Sequence, residues 1–152
     1  PPLVFFGHSY GGIIAFELAN LLYSRKQYSI SHLIISSTNN PQVLTNITLS
    51  NNSNKYHLLS DNNLLQEITR YGGIPTGIHP DILQYMLPII RSDYHGLESY
   101  QYQFQNQLNN NETNENENLQ YPGYITVFGS DEDSSNVTYE SLNGWNEYCK
   151  DK

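Results

Sequence analysis

An α/β fold built on a mostly parallel sheet follows from three observations in the sequence. Leu3-Val4-Phe5-Phe6 is a continuous apolar run, the pattern of a parallel strand buried on both faces. Ile13 to Tyr23 is amphipathic at helical spacing, and His32-Leu33-Ile34-Ile35-Ser36 supplies a second apolar run, so strand, helix and strand follow at βαβ spacing. Between the first strand and the helix stands Gly7-His8-Ser9-Tyr10-Gly11, a G-x-S-x-G turn.

The first helix is expected to pack Ile14, Leu18, Leu21 and Leu22 on the sheet. Ser37 to Gln42 reads as the loop at the carboxyl end of the second strand, and the polar, Asn-rich 45–55 stretch as an exposed connection. A helical block occupies about 56–104. Ser60 or Asp61 caps a helix carrying Leu64, Leu65 and Ile68 that ends at Gly72-Gly73. Pro80 starts a second helix, and Pro88 is expected to break it before a third from Ile89 to about Phe104. Helices inserted between sheet strands without a βαβ rhythm suit a lid, and plain packing on the sheet is the alternative. Residues 106–118 are almost all Asn, Gln and Glu, the composition of a solvated loop. Tyr124 to Phe128 is a third strand, running into the acidic turn Gly129-Ser130-Asp131-Glu132-Asp133. The segment from Tyr139 to Lys152 reads as helical, with Leu142, Trp145 and Tyr148 inward.

The 152 residues suit one domain, and the net charge of −8 with seven Lys plus Arg argues against nucleic acid or an anionic membrane surface as partner. Arg25-Lys26 is the only adjacent basic pair. A single cysteine, Cys149, excludes an internal disulfide framework and fits a reducing, cytoplasmic compartment. No apolar run reaches the roughly 20 residues of a membrane span. Asn-X-Ser/Thr acceptors at Asn46, Asn51, Asn111 and Asn136 are what an Asn-rich chain produces by accident. No metal and no cofactor is expected.

The G-x-S-x-G turn points to acyl chemistry at Ser9. A strand that enters a sharp turn and leaves as a helix strains the central residue and exposes its hydroxyl at the carboxyl edge of the sheet. The helix start aims unspent N–H groups at the place where a tetrahedral oxyanion forms, and the Tyr10 backbone N–H is the donor this segment offers. A serine nucleophile needs a base, and a carboxylate to orient that base. Asp133 is the first choice for the carboxylate and Asp131 the second, both in the turn after the third strand. All five histidines, His8, His32, His57, His79 and His95, precede that turn. His8 reads as a turn residue and His32 as a structural strand residue; His57, His79 and His95 fall in or beside the helical block.

At this point the chain resembles a type II thioesterase, the stand-alone α/β hydrolase associated with polyketide, nonribosomal-peptide and fatty-acid synthases. The resemblance runs through Phe6-Gly7-His8-Ser9-Tyr10-Gly11-Gly12, Ala15 to Ala19 and His32 to Ser36. It continues in Tyr71-Gly72-Gly73-Ile74-Pro75, Leu87-Pro88-Ile89-Ile90-Arg91-Ser92-Asp93-Tyr94, Leu97 to Tyr100, the acidic turn and Trp145. The Gly-Gly-x-Pro and Leu-Pro-x-x-Arg-x-Asp segments discriminate better than the serine turn, which any esterase shares. The resemblance implies a partial α/β-hydrolase fold with a helical lid insertion, Ser9 as nucleophile and Asp133 as orienting acid, with Asp131 open. It also implies hydrolysis of an acyl thioester on the phosphopantetheine arm of an acyl carrier protein. Tyr10 replaces the Met common in the family, and Ser134 the Pro that usually succeeds the acid.

The family's histidine lies in a Gly-Gly-His turn after the Trp145-type helix, and no such turn occurs in these residues. The serine turn also comes almost at residue 1. The expectation is therefore a piece of a longer protein, truncated at both ends, with little turnover of its own because general-base help is worth about 10² to 10⁴ in rate. A catalytically inactive relative and a generic carboxylesterase are the competing readings.

Overall fold

The computed structural model describes residues 2–26, 28, 30–50, 55–75, 77–102, 121–131 and 137–150. The chain divides into two compact units, one formed by Pro1–Val43 with Tyr102–Lys152 and the other by Leu44–Gln101.

The first unit is a three-stranded parallel sheet in the order β1 (Leu3–His8), β2 (Ile30–Ser36), β3 (Tyr124–Phe128). The fold is α/β, with the sheet built from strands at the expected places. β2 is central, which is why Ile30, Leu33 and Ile35 are fully buried. β1 corrects the expectation of a buried strand. It is paired on one side only among the described residues, and Val4 and Phe6 remain 54% and 65% exposed.

Helix α1 (Tyr10–Ser24) joins β1 to β2, as the βαβ spacing predicts. Its buried face is another correction. Gly12, Ile13, Ala15, Phe16, Ala19 and Asn20 are buried, whereas Ile14, Leu18 and Leu21 are exposed. The helix is apolar on nearly every side, so periodicity does not choose a face; the small residues do, by letting the helix lie close on β2. A β-carbon on Gly12 would stand 2.8 Å from the Thr38 Cγ2 and 3.3 Å from the Ile35 Cγ2.

The C-terminal segment is shorter and tighter than the single helix expected. Helix α2 (Pro41–Leu49) precedes it in sequence and occupies residues whose text reads as loop and connection. Asn40 caps it by accepting the Val43 N–H at 3.1 Å, and Pro41 sits at its first position. After β3, a five-residue helix Tyr139–Asn143 passes straight into a 3-10 turn, Gly144–Tyr148. Trp145 and Tyr148 are buried against Phe16 with edge-on rings at 5.3 Å and 5.5 Å, and Tyr102 packs on Tyr148 at 5.3 Å. Edge-on pairs of this kind are worth about 0.5–1.5 kcal/mol each beyond the area they bury. The chain then bridges Tyr121 to Cys149, and the Tyr121 hydroxyl donates to the Ile30 carbonyl.

The second unit holds α3 (Asp61–Arg70) and α4 (Pro80–Ser99) with a 3-10 turn at Tyr56–Leu58. Ser60 caps α3 by accepting the Asn63 N–H at 3.4 Å, and Leu64 and Ile68 form its buried stripe. Gly72, at φ 73°, ends the helix in the left-handed region that glycine favours. Pro88 does not divide α4, contrary to the expectation of two helices. Arg91 and Glu98, both beyond the proline, fasten the second half of the helix to residues 56–61, and these bonds outweigh the one backbone hydrogen bond that proline forgoes. Residues 106–118 lie outside the described residues.

Candidate active site

Ser9 lies between β1 and α1 with φ 52° and ψ −125°, a backbone conformation that costs a non-glycine residue about 1–3 kcal/mol and that the surroundings must enforce. Three backbone features enforce it. The Ser9 N–H donates to the Ser36 carbonyl of β2 at 2.8 Å, and the Ser9 carbonyl accepts the Gly12 N–H at 2.9 Å. Gly7 allows the helix start to fold back onto the strand, since a β-carbon there would lie 2.2 Å from the Gly11 carbonyl oxygen. Ser9 is half-buried rather than interred. Tyr10 opens α1, so its N–H has no intrahelical acceptor and is free by position to meet an oxyanion.

The strand register sets where an acid can stand. His8, Ser36 and Phe128 occupy one row across the three strands, and the Ser37 N–H donates to the Phe128 carbonyl at 2.9 Å. Ser9 and the turn after β3 therefore leave the same carboxyl edge, two strand spacings or about 10 Å apart along the backbone. Asp131 lies in that turn and is exposed. Asp133 lies outside the described residues.

Packing behind the edge holds the turn in place. Gly129 takes up the only space available against the 139–143 helix, where the Leu142 Cδ1 would be 2.2 Å from an added β-carbon. The Trp145 indole N–H donates to the Thr38 carbonyl at 3.2 Å. Asn40 donates through Nδ2 to the Ser141 carbonyl at 2.9 Å, and the Gln42 N–H donates to the Tyr148 hydroxyl at 3.1 Å. Burial pushes the Tyr102 and Tyr121 phenols up to about 12, so both serve as neutral packing groups at ordinary pH.

None of the histidines in the sheet unit is placed as a base. His8 pairs through Nδ1 with the Ser36 hydroxyl at 3.1 Å, and His32 bonds through Nε2 to Thr126 of the neighbouring strand at 2.7 Å. In the other unit His79 caps α4, accepting the Asp81 N–H at 3.3 Å. His57 pairs with Glu98, and its ring lies 4.7 Å from that of His95. Among the described residues, no group of three or more His, Cys, Asp or Glu could hold a metal ion. No helix among them is long and apolar enough to cross a membrane.

A thioesterase-domain family model matches residues 1–152. The chain belongs to the thioesterase family. It is 32% identical over 151 residues to the gramicidin S biosynthesis protein GrsT of Aneurinibacillus migulanus, an alignment covering 98% of this chain and 51% of GrsT. The thioesterase PikA5 of Streptomyces venezuelae is 34% identical over 100 residues, 64% of this chain and 33% of that protein. Among solved structures, the type II thioesterase BorB from the borrelidin biosynthetic cluster superposes with a TM-score of 0.70 at 30% identity, over 98% of this chain and 53% of BorB. ClbQ from the colibactin pathway shares the fold, with a TM-score of 0.76 at 24% identity over 100% of this chain and 56% of that structure. The chain thus spans about half the length of GrsT, BorB and ClbQ.

Within this thioesterase chain the sequence signals Ser9, Tyr10 and the acidic turn but not the residues that hold them. Ser36 and Ser37 fasten the serine turn and β3 to the central strand, and Ser37 itself takes a left-handed φ of 48°. Paired serines at the carboxyl end of an apolar run are the available signal. Arg91 of the Leu-Pro-x-x-Arg segment is a clamp, bonded to the carbonyls of His57 and Leu59 and to Asp61.

Proposed function

We propose that this chain carries the nucleophile of an enzyme that hydrolyses acyl thioesters from the phosphopantetheine arm of acyl carrier proteins, for editing or for fatty-acid release. The supporting observation is the strained Ser9 turn, fixed to β2 at the same sheet edge from which the acidic turn leaves. Ser9 attacks the thioester carbonyl and transfers its hydroxyl proton to a base; the Tyr10 N–H stabilises the oxyanion; collapse expels the thiol of the arm and leaves an acyl-Ser9 ester. Water then releases the acid and regenerates Ser9. Asp133, with Asp131 as second choice, orients the base, which the family supplies from a Gly-Gly-His turn. The 44–101 unit takes the role of the lid. The likeness to a gramicidin S biosynthesis protein and to a type II thioesterase from a borrelidin biosynthetic cluster favours a role in a biosynthetic assembly, the carrier-bound thioester following from the type II thioesterase resemblance, and a cytoplasmic setting accords with that role.

The test is acyl release from a loaded carrier protein by the protein that carries this chain, alongside Ser9→Ala and a short oxygen ester. Release from the carrier that disappears in Ser9→Ala supports the proposal. Release unaffected by that change refutes it, and a strong preference for the oxygen ester assigns the site to a carboxylesterase instead.

A further inference from the structure

The peptide that leads into the strained Ser9 turn is gripped on both sides by one residue of the neighbouring strand. Ser36 is the register partner of His8 in the parallel pairing of β1 with β2. Its carbonyl accepts the Ser9 N–H at 2.8 Å, and its hydroxyl pairs with the His8 Nδ1 at 3.1 Å. A hydroxyl both donates and accepts, so the second bond forms whichever ring nitrogen carries the hydrogen and whether or not the ring is charged.

Side-chain direction follows from the alternation along each strand. Ile35 meets α1, since its Cγ2 would lie 3.3 Å from a β-carbon on Gly12; Ser36 and its partner His8 therefore point to the opposite face of the sheet. That side is the more open one, with His8 exposed and Ser36 half-buried where Gly7 and Ile35 are buried. Packing restrains an exposed ring little, so the bond to Ser36 is what holds the His8 side chain.

Rotation of the His8–Ser9 peptide changes the ψ of His8 and the φ of Ser9 together. The Ser9 φ of 52° is the strained angle, and it sets the direction of the Cα–Cβ bond and with it the hydroxyl. With the N–H of that peptide on the Ser36 carbonyl and the preceding side chain on the Ser36 hydroxyl, the peptide cannot turn without breaking one of the two bonds. Ser36 is also one peptide away from β3, because the Ser37 N–H donates to the Phe128 carbonyl at 2.9 Å.

We propose that Ser36 is a positioning residue for the Ser9 nucleophile, its hydroxyl acting through His8 and its carbonyl through the Ser9 N–H. The assignment rests on the acyl-Ser9 reading above. It gives His8, which is not placed as a base, the task of setting the angle at which the serine hydroxyl is presented.

Ser36→Ala keeps the carbonyl bond and removes the side-chain one. In the protein that carries this chain, assayed on a loaded carrier protein, it should lower kcat about 2- to 10-fold, the worth of one hydrogen bond, and leave KM unchanged, because a misdirected hydroxyl impairs the chemical step and not binding. Ser36→Thr retains a hydroxyl and should restore kcat. His8→Ala should lose the same factor as Ser36→Ala, and the double variant should be no worse than either single one, since each removes the same bond. An unchanged kcat, losses that multiply in the double variant, a loss confined to KM, or no restoration by threonine overturns the inference. If the unaltered protein releases no acyl group, the hydrolysis reading fails by itself and the grip is read in the chain directly. Hydrogen exchange at the Ser9 amide should then quicken several-fold in Ser36→Ala and in His8→Ala and return in Ser36→Thr; exchange unchanged in the single variants overturns the grip.

Discussion

Gly7 and Gly11 meet across the serine turn so closely that a β-carbon on Gly7 would sit 2.2 Å from the Gly11 carbonyl oxygen, whereas one on Gly11 would meet nothing within 4 Å. The two glycines of one motif therefore differ in kind. Gly7 is required by the approach of helix to strand, and Gly11, inside α1, is conformationally ordinary.

Gly7→Ala should destabilise the chain by at least the 1–3 kcal/mol of an overpacked site, because the clash is with backbone that cannot rotate away. Gly11→Ala should stabilise it by about 0.5–1 kcal/mol through helix propensity. Urea denaturation of the two variants checks both signs, and equal midpoints would contradict the geometry.

The backbone of Ser9 makes a second, independent forecast. At φ 52° and ψ −125° glycine is relieved of strain that alanine keeps. Ser9→Gly should be more stable than Ser9→Ala by about 1 kcal/mol once the greater freedom of unfolded glycine is subtracted. Thermal denaturation of the pair reads the difference directly.

In the 44–101 unit, Arg91→Lys removes a planar group that reaches three oxygens and substitutes an ammonium without that fork. The 3-10 turn should loosen, and the Leu58 and Leu59 amides, which bond to the Lys55 and Tyr56 carbonyls, should exchange with solvent several-fold faster. Glu98→Gln should act in the same direction by weakening the bonds from Tyr56 and His57. Protection unchanged in both variants would mean that the turn holds without its clamps.

Alkaline titration tests the half-buried Tyr102 and the buried Tyr121. Tyr102 and Tyr121 ionise near 12 in the folded chain because burial disfavours the phenolate, against about 10 when unfolded. Between those values the folded state binds more protons, so their stabilisation is complete below about pH 10 and is lost as pH rises toward 12. Absorbance near 295 nm should show a late-ionising fraction that vanishes in denaturant.

The sheet strands, α3 with its cap, and the serine turn are legible in the sequence because each is a local rule: an apolar run, a serine before an amphipathic stretch, glycines around a tight bend. The failures are tertiary. Which face α1 buries depends on Gly12 meeting Thr38 and Ile35, contacts absent from any periodicity. Pro88 reads as a break, yet Arg91 and Glu98 fasten the second half of α4 and keep it continuous. Helix α2 carries its own signature in Asn40-Pro41, obscured by the Asn-rich text around it. At the site, the serine and the acidic turn can be named from sequence, but their common edge comes only from the parallel register of β1, β2 and β3.

Trp145 is the chain's single tryptophan, 1% exposed and wedged between Phe16 and Tyr148. Its indole is thus an intrinsic optical gauge placed where α1 meets the C-terminal segment. Emission from the native chain should be blue-shifted and weakly quenched by iodide, and a red shift on dilute denaturant would time the peeling of that segment from the helix, with no label attached.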